Sequence, residues 1–269
     1  MMGKFVGVIL LFTATVSAQS KIGQSKKELT SDQAAPRQTE KNTIAQEPHE
    51  ADPFWVETIF DFTIGPVIWL TVGDYGNEYH LKHFLTPYPL YNGQSGNYEG
   101  YDTVQKKKIR FDADDTFLYS GNRLYGNHLK IKFRPTYIFS LQADLFQLYE
   151  SNAFDHTHQQ LSVYYLGFCY DRLRFEKFNL GWSLGASYVG SGINKAGFTL
   201  GLSADYFVAK HFSVSASAKS SMVNHQPVNT FDVNGKFHRK NYYLSLGYQR
   251  LKIGSPSYNF VAVGGGISF

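Results

Sequence analysis

The tightest constraint on this chain is the alternation across 178–269, where apolar residues take every second position and small or polar ones stand between them. In 178–188 the even positions carry Phe178, Leu180, Trp182, Leu184, Ala186 and Tyr188, and the odd ones are Asn, Gly or Ser throughout. Phe212, Val214, Ala216 and Ala218 alternate with Ser213, Ser215, Ser217 and Lys219 in the same way. So do Tyr242, Leu244, Leu246 and Tyr248 with Tyr243, Ser245, Gly247 and Gln249. A strand has a side-chain period of two, so each segment has one greasy face and one small, polar face. A greasy sheet face must be covered, and nothing here reads as a layer of helices. A bilayer covers the outside of a closed barrel without any second layer. The expected fold is all-β: a transmembrane, antiparallel, up-and-down β-barrel.

Residues 1–18 have the parts of a secretory signal peptide: Lys4, an apolar run from Phe5 to about Val16, then Ser17 and Ala18. The run is roughly a dozen residues, short of the ~20 that a spanning helix needs. This end is expected to meet the secretory translocon and then be removed. No Cys follows the cleavage site, which argues against a lipoprotein, and a single cysteine, Cys169, excludes an internal disulfide. Mean hydropathy is −0.29, a value that suits a soluble protein if read alone. In a spanning strand only alternate residues meet lipid, so the average stays near neutral. The 16% aromatic content fits the same class, since Tyr and Trp favour the membrane–water boundary. The net charge of +4 is not clustered, so lipid is an expected partner and nucleic acid is not.

Residues 19–52 contain no Phe, Trp or Tyr and are rich in Gln, Lys, Glu, Ser and Thr. Such a segment buries too little apolar surface to offset its ordering entropy, and the expectation is a disordered periplasmic tail. Residues 53–106 begin with Phe54, Trp55, Ile59, Phe60 and Phe62 and become rich in Gly, Pro and Tyr. Three arrangements compete for them: a packed segment at the periplasmic rim, which is favoured; a plug in the barrel; or an extra strand over 62–72.

From residue 107 onward about ten strands are expected, with eight to twelve possible: 107–120, 124–134, 136–149, 160–172, 177–188, 196–208, 211–220, 229–238, 241–252 and 258–269. Each approaches the ~9–11 residues of a tilted spanning strand. Connections near 135, 175, 209 and 240 are short and mostly basic. Those near 121–127, 150–159, 189–195, 220–229 and 254–259 are mostly longer and more polar. Short periplasmic turns against longer external loops would put both termini in the periplasm. With the signal peptide and the C-terminal strand 260–269, FVAVGGGISF, the region 107–269 resembles the general family of Gram-negative outer-membrane β-barrel proteins. The resemblance implies location in the outer membrane and recognition of the last strand by the barrel-assembly machinery, with Phe269 as the key residue. It says little about activity, because this fold hosts pores, enzymes, adhesins and anchors.

If the greasy face meets lipid, the other lines the lumen. That face carries Arg110, Asp112 and Asp114; Lys130, Lys132 and Arg134; Gln142 and Asp144; then Asp205, Lys219, Asp232 and Lys236. Charges of both signs in a confined interior must be paired or hydrated. The lumen is therefore either a salt-bridged filled core or a narrow hydrated passage. Asp115 falls on the lipid side of its strand and is expected near the strand's end. Histidines at 80 and 83 lie before the barrel, and His128, His156, His158 and His225 lie in or beside external loops. His156-x-His158 could share a metal, but no Cys or carboxylate spacing supports it, and no metal is expected. Glu150, Ser151, His156 and His158 are the one local set with hydrolase residue types, without a strained nucleophile motif. No Gly-rich phosphate loop opens a helix, so no cofactor is expected. The expected function is structural, or narrow passive passage of small solutes, without enzyme activity. The alternatives are an outer-leaflet lipid hydrolase acting from the 150–158 loop and an adhesion scaffold.

Overall fold

Alternating strands with one apolar face close on themselves in the computed structural model, which describes residues 20–31, 73, 78–100, 109–121, 123–151 and 158–269. In chain order the described elements are helix α1 (Lys21–Thr30), short strands β1 (His83–Leu85) and β2 (Tyr98–Gly100), and the ten barrel strands. The barrel strands are β3 (Arg110–Ser120), β4 (Leu124–Arg134), β5 (Phe139–Ser151), β6 (His158–Arg174), β7 (Phe178–Val189), β8 (Lys195–Ala209), β9 (Phe212–Val223), β10 (Gln226–Arg239), β11 (Tyr242–Ile253) and β12 (Ser257–Ser268). Each pairs antiparallel with the next, and β12 closes on β3 with Val261 opposite Tyr119 and Ser268 opposite Asp112. The expected signal peptide over 1–18, residues 32–52, the possible strand over 62–72 and His156 lie outside the described residues.

The two mouths differ. Arg110 and Phe269 stand at one, the seam mouth, where Phe111 and Phe269 exchange backbone hydrogen bonds of 3.1 and 2.8 Å. The paired ends of β3 and β4, β5 and β6, β7 and β8, β9 and β10, and β11 and β12 stand at the other, the hairpin mouth. The long polar loop expected over 220–229 is not there. Asn224 and His225, at φ 47° and 63°, make a two-residue turn, and β9 and β10 run up to it. Asn tolerates the left-handed region because its short polar side chain bonds locally, and a two-residue turn of this hand matches strand twist.

The outer face is apolar around the whole barrel. Leu166, Leu200, Leu202, Leu244, Leu246, Val261 and Val263 are all exposed. Toward the hairpin mouth it carries Tyr119, Tyr125, Tyr149, Tyr164, Tyr188 and Tyr248, and toward the seam mouth Phe111, Phe133, Phe139, Phe212, Phe237 and Tyr242. An apolar band between two aromatic girdles, with no covering layer, is the surface of a membrane-spanning barrel. Asp115 departs from the expectation for it. The register sets it opposite Leu129 and Gly265, midway along β3, still facing outward. Its place in the lipid band is eased by Asn127, whose Nδ2 donates to Oδ1 at 2.7 Å. The glycine triplet marks a close contact: a Cβ at Gly264 would sit 2.2 Å from the backbone oxygen of Asp115.

The inner face is not polar throughout. Toward the hairpin mouth Leu118, Leu148, Leu161, Val189, Val223, Ile253, Tyr258 and Phe260 form an apolar cluster inside the barrel, together with Ile22 and Leu29 of α1. This corrects the expectation of a uniformly small, polar lining. It also corrects the expectation for the tail, because residues 20–31 are ordered. Ile22, Ser25 and Leu29 recur at helical spacing on one buried face, and Ser20 caps the helix by accepting from Gly23 N at 3.1 Å. A ten-residue polar segment cannot hold a helix by itself, but the barrel supplies the apolar surface that it lacks. Tail and barrel termini were expected on one side, yet α1 sits at the mouth opposite Phe269, where the apolar lining is.

Candidate functional site

The lumen has three levels. At the hairpin mouth, Glu150 at the end of β5 takes the N-terminus of α1. Its carboxylate accepts from Ser20 Oγ at 2.6 Å and from the backbone N–H groups of Ile22 and Lys21 at 2.8 and 3.2 Å. A carboxylate at a helix N-terminus meets unpaired N–H groups and the positive end of the macrodipole. Ser25 Oγ lies 2.9 Å from Ile253 O and 2.7 Å from Tyr258 Oη, and Glu28 accepts from Ser255 N at 2.6 Å. Asn224 Nδ2 donates to Leu29 O at 2.8 Å, so the turn on β9–β10 receives the other end of the helix. Of the described members of the hydrolase set, Glu150 is engaged by α1, and Ser151 and His158 face each other as register partners at the strand ends.

In the middle level Asp144 is the hub. It accepts from Lys219 Nζ, from Gln142 Nε2 at 2.9 Å and from His128 Nε2 at 3.0 Å. Gln249 Nε2 lies 3.2 Å from His128 Nδ1, so the network assigns the ring proton to Nε2. Lys219 also sits 4.1 Å over the Tyr165 ring, and Lys130 lies 3.9 Å from Asp232. A cavity of about 100 Å³ beside this network is lined by Arg110, Asp112, Lys130, Lys132, Arg134, Gln142, Asp205 and Lys219, among others. It has room for about three waters. Asp144 lies under Lys219 and His128, in the wall of the barrel.

At the seam mouth the segment 78–100 packs against the third level. Arg134 bonds Asp112 at 3.1 Å through Nε and Asp171 through Nη1, and Lys132 reaches Asp171 at 3.5 Å. Into this cluster the segment inserts two side chains. Tyr98 Oη donates to Asp171 at 2.7 Å, and Asn97 accepts from Arg110 Nη1 at 3.0 Å while reaching toward Asp205 at 3.4 Å. Burial, reinforced by Asp171, holds the Tyr98 phenol well above its ordinary pKa, so it stays a donor. Beside them Arg172 Nη2 donates to Glu78 at 2.6 Å, and His80 stacks on Phe175 with ring centroids 5.0 Å apart. His80 Nε2 is 3.0 Å from Arg172 Nη1 and 2.7 Å from Glu78. Burial first, with Arg174 and Arg172 adding to it against Glu78, keeps the His80 pKa below its ordinary 6.5. Nε2 thus lies between the Arg172 guanidinium and the Glu78 carboxylate.

Several of these residues escape a reading of the sequence alone. His128, expected in or beside an external loop, is buried in mid-β4, sharing the inward face of Lys130, Lys132 and Arg134. That parity was the signal. Asp171 shares the inward parity of Cys169 in β6, whereas Asn97, Tyr98 and Glu78 had no such signal, because their partners are distant in the chain. Phe269 points outward, with its ring 6.4 Å from Phe111. No group of three or more His, Cys, Asp or Glu that could hold a metal occurs among the described residues.

The closed sheet, lipid-facing band and polar interior define the class: a transmembrane β-barrel of the outer-membrane type. No protein-family model and no curated protein matches the chain. Among solved structures it is similar to an outer membrane channel of Pseudomonas putida F1 (10% identity, 63% of this chain and 98% of that one, TM-score 0.36). It is similar also to OprG of Pseudomonas aeruginosa (10%, 61% and 97%, TM-score 0.32) and to Ail of Yersinia pestis (12%, 60% and 97%, TM-score 0.28).

Proposed function

We propose that the chain is a non-enzymatic barrel of the Gram-negative outer membrane that offers a narrow passive passage to small polar solutes, shut at rest by α1. On this reading residues 1–18 engage the secretory translocon, and the last strand with Phe269 engages the barrel-assembly machinery. Arg110, Asp112, Lys130, Lys132, Arg134, Gln142, Asp205 and Lys219 line the route, and Asp144 holds Lys219 in place from beneath. The observation that carries it is the way α1 is held. Ile22, Leu29 and Glu150, with Ser25, Glu28 and Asn224 bonding around them, retain a helix too short to persist undocked, across a mouth that leads to a charged interior. A helix that persists only while docked is a stopper that can leave. A second reading, a purely structural barrel, draws on the dense pairing around Asp144 and Asp171.

Planar-bilayer conductance separates the two. The mature full-length protein is expected to be silent, and a form lacking residues 20–31 is expected to show discrete steps. Lys130→Gln and Lys132→Gln should shift the ion selectivity of those steps. Silence from both forms would leave the structural reading and end the passage.

A further inference from the structure

We propose that two copies of this chain pair in the membrane through the outer face of β12, β3 and β4, around Asp115 and Asn127. Along β3 the outward residues are Phe111, Ala113, Asp115, Phe117 and Tyr119, so the carboxylate lies halfway between the aromatic girdles. No other described barrel strand turns an Asp or Glu outward. An ionisable side chain facing lipid is costly and marks a contact in search of a partner.

The pair is half satisfied. Asn127 donates one amide N–H to Asp115 Oδ1 and has a second to give, and Asp115 has a second oxygen to receive one. Two copies with the same orientation pair about a two-fold axis along the membrane normal, so each residue meets its own depth in the other copy. The second copy then brings an Asn127 amide to the free oxygen of Asp115, and the exchange is reciprocal. It brings no cation there, because the outward Arg239, Arg250 and Lys252 stand at strand ends. The surface also allows close approach. Gly265 beside Asp115 has no side chain and Ala113 only a methyl group, and small residues let membrane partners come near enough for side-chain hydrogen bonds.

The test is photobleaching-step counting on the full-length protein in dilute proteoliposomes, with a fluorophore on Gly121→Cys at the open hairpin tip; Cys169 is buried and does not compete for label. Wild-type barrels are expected to bleach mainly in two steps. Asp115→Leu and Asn127→Leu should cut the two-step fraction at least tenfold, while Asp115→Asn, which keeps a donor and an acceptor, should retain it. Heat-dependent gel mobility checks that each variant is a folded barrel. Single-step bleaching of the wild type, or unchanged pairing of folded Asp115→Leu, would overturn the proposal. Loss of pairing in Asp115→Asn as well would overturn it in favour of a cationic partner.

Discussion

Ile22→Ala combined with Leu29→Ala tests whether α1 is a stopper. Each substitution removes three carbons from a side chain that is fully buried inside the barrel. At ~0.8 kcal/mol per buried CH₂, each costs about 2.4 kcal/mol and the pair about 5 kcal/mol. Each ~1.4 kcal/mol is a factor of ten, so the docking equilibrium should fall by three to four orders of magnitude. The polar contacts of Ser20, Ser25 and Glu28 remain possible but cannot restore it, because water satisfies those groups equally well once the helix leaves. Two measurements belong together. Trypsin should nick the double variant at Lys26 or Lys27 much faster than the wild type, reporting that α1 is free. Conductance on the same preparation should then show steps where the wild type is silent. Rapid nicking without conductance would refute the stopper: the helix would have left, and the charged levels below it would be what closes the lumen.

Three further predictions concern the levels beneath. Asp144→Ala strips Lys219 and His128 of their shared acceptor inside the barrel and should cost about 3–5 kcal/mol, the range for a buried pair broken on one side; urea unfolding followed by gel mobility would read it. The neutral His80 ring makes the seam-mouth segment sensitive to acid. With its pKa held below 6.5, its contribution is complete above that pH and declines as the pH falls beneath it, because the undocked ring takes up the proton. A fluorophore on exposed Lys82→Cys should therefore report release on acidification, and His80→Asn should flatten the response. Gly264→Val should prevent closure of β12 on β3 and abolish the heat-modifiable band, whereas Gly235→Ala, whose new Cβ would lie 3.7 Å from Leu246 O, should leave it intact.

The barrel was legible because its signal is local. A period of two survives in every strand whatever the strand pairs with, so the number of strands and most of their spans could be read in advance. The inward charges follow from the same parity, which His128, inside the expected strand 124–134, shares. What stayed hidden depends on partners far along the chain. Ile22 and Leu29 look like isolated apolar residues in a polar tail, and only the apolar inner surface of β3, β5, β6 and β9–β12 gives them a role. Strand ends such as Phe146, Leu148 and Leu161, Val163 carry apolar residues inward for the same reason. The turn at Asn224 and His225 was hidden differently: left-handed backbone at two non-glycine residues has only a weak sequence signature.

The seat of α1 also sets an order of events. Its contacts reach Glu150 on β5, Asn224 after β9, Ile253 on β11 and Tyr258 on β12, and Ser25 bonds a residue 233 positions later in the chain. Such non-local contacts form late, because the loop between them must be closed before any of them is made. The first described element of the chain is therefore the last to find its place. Until the final hairpin is laid down its binding surface does not exist, so a docked α1 certifies a finished barrel.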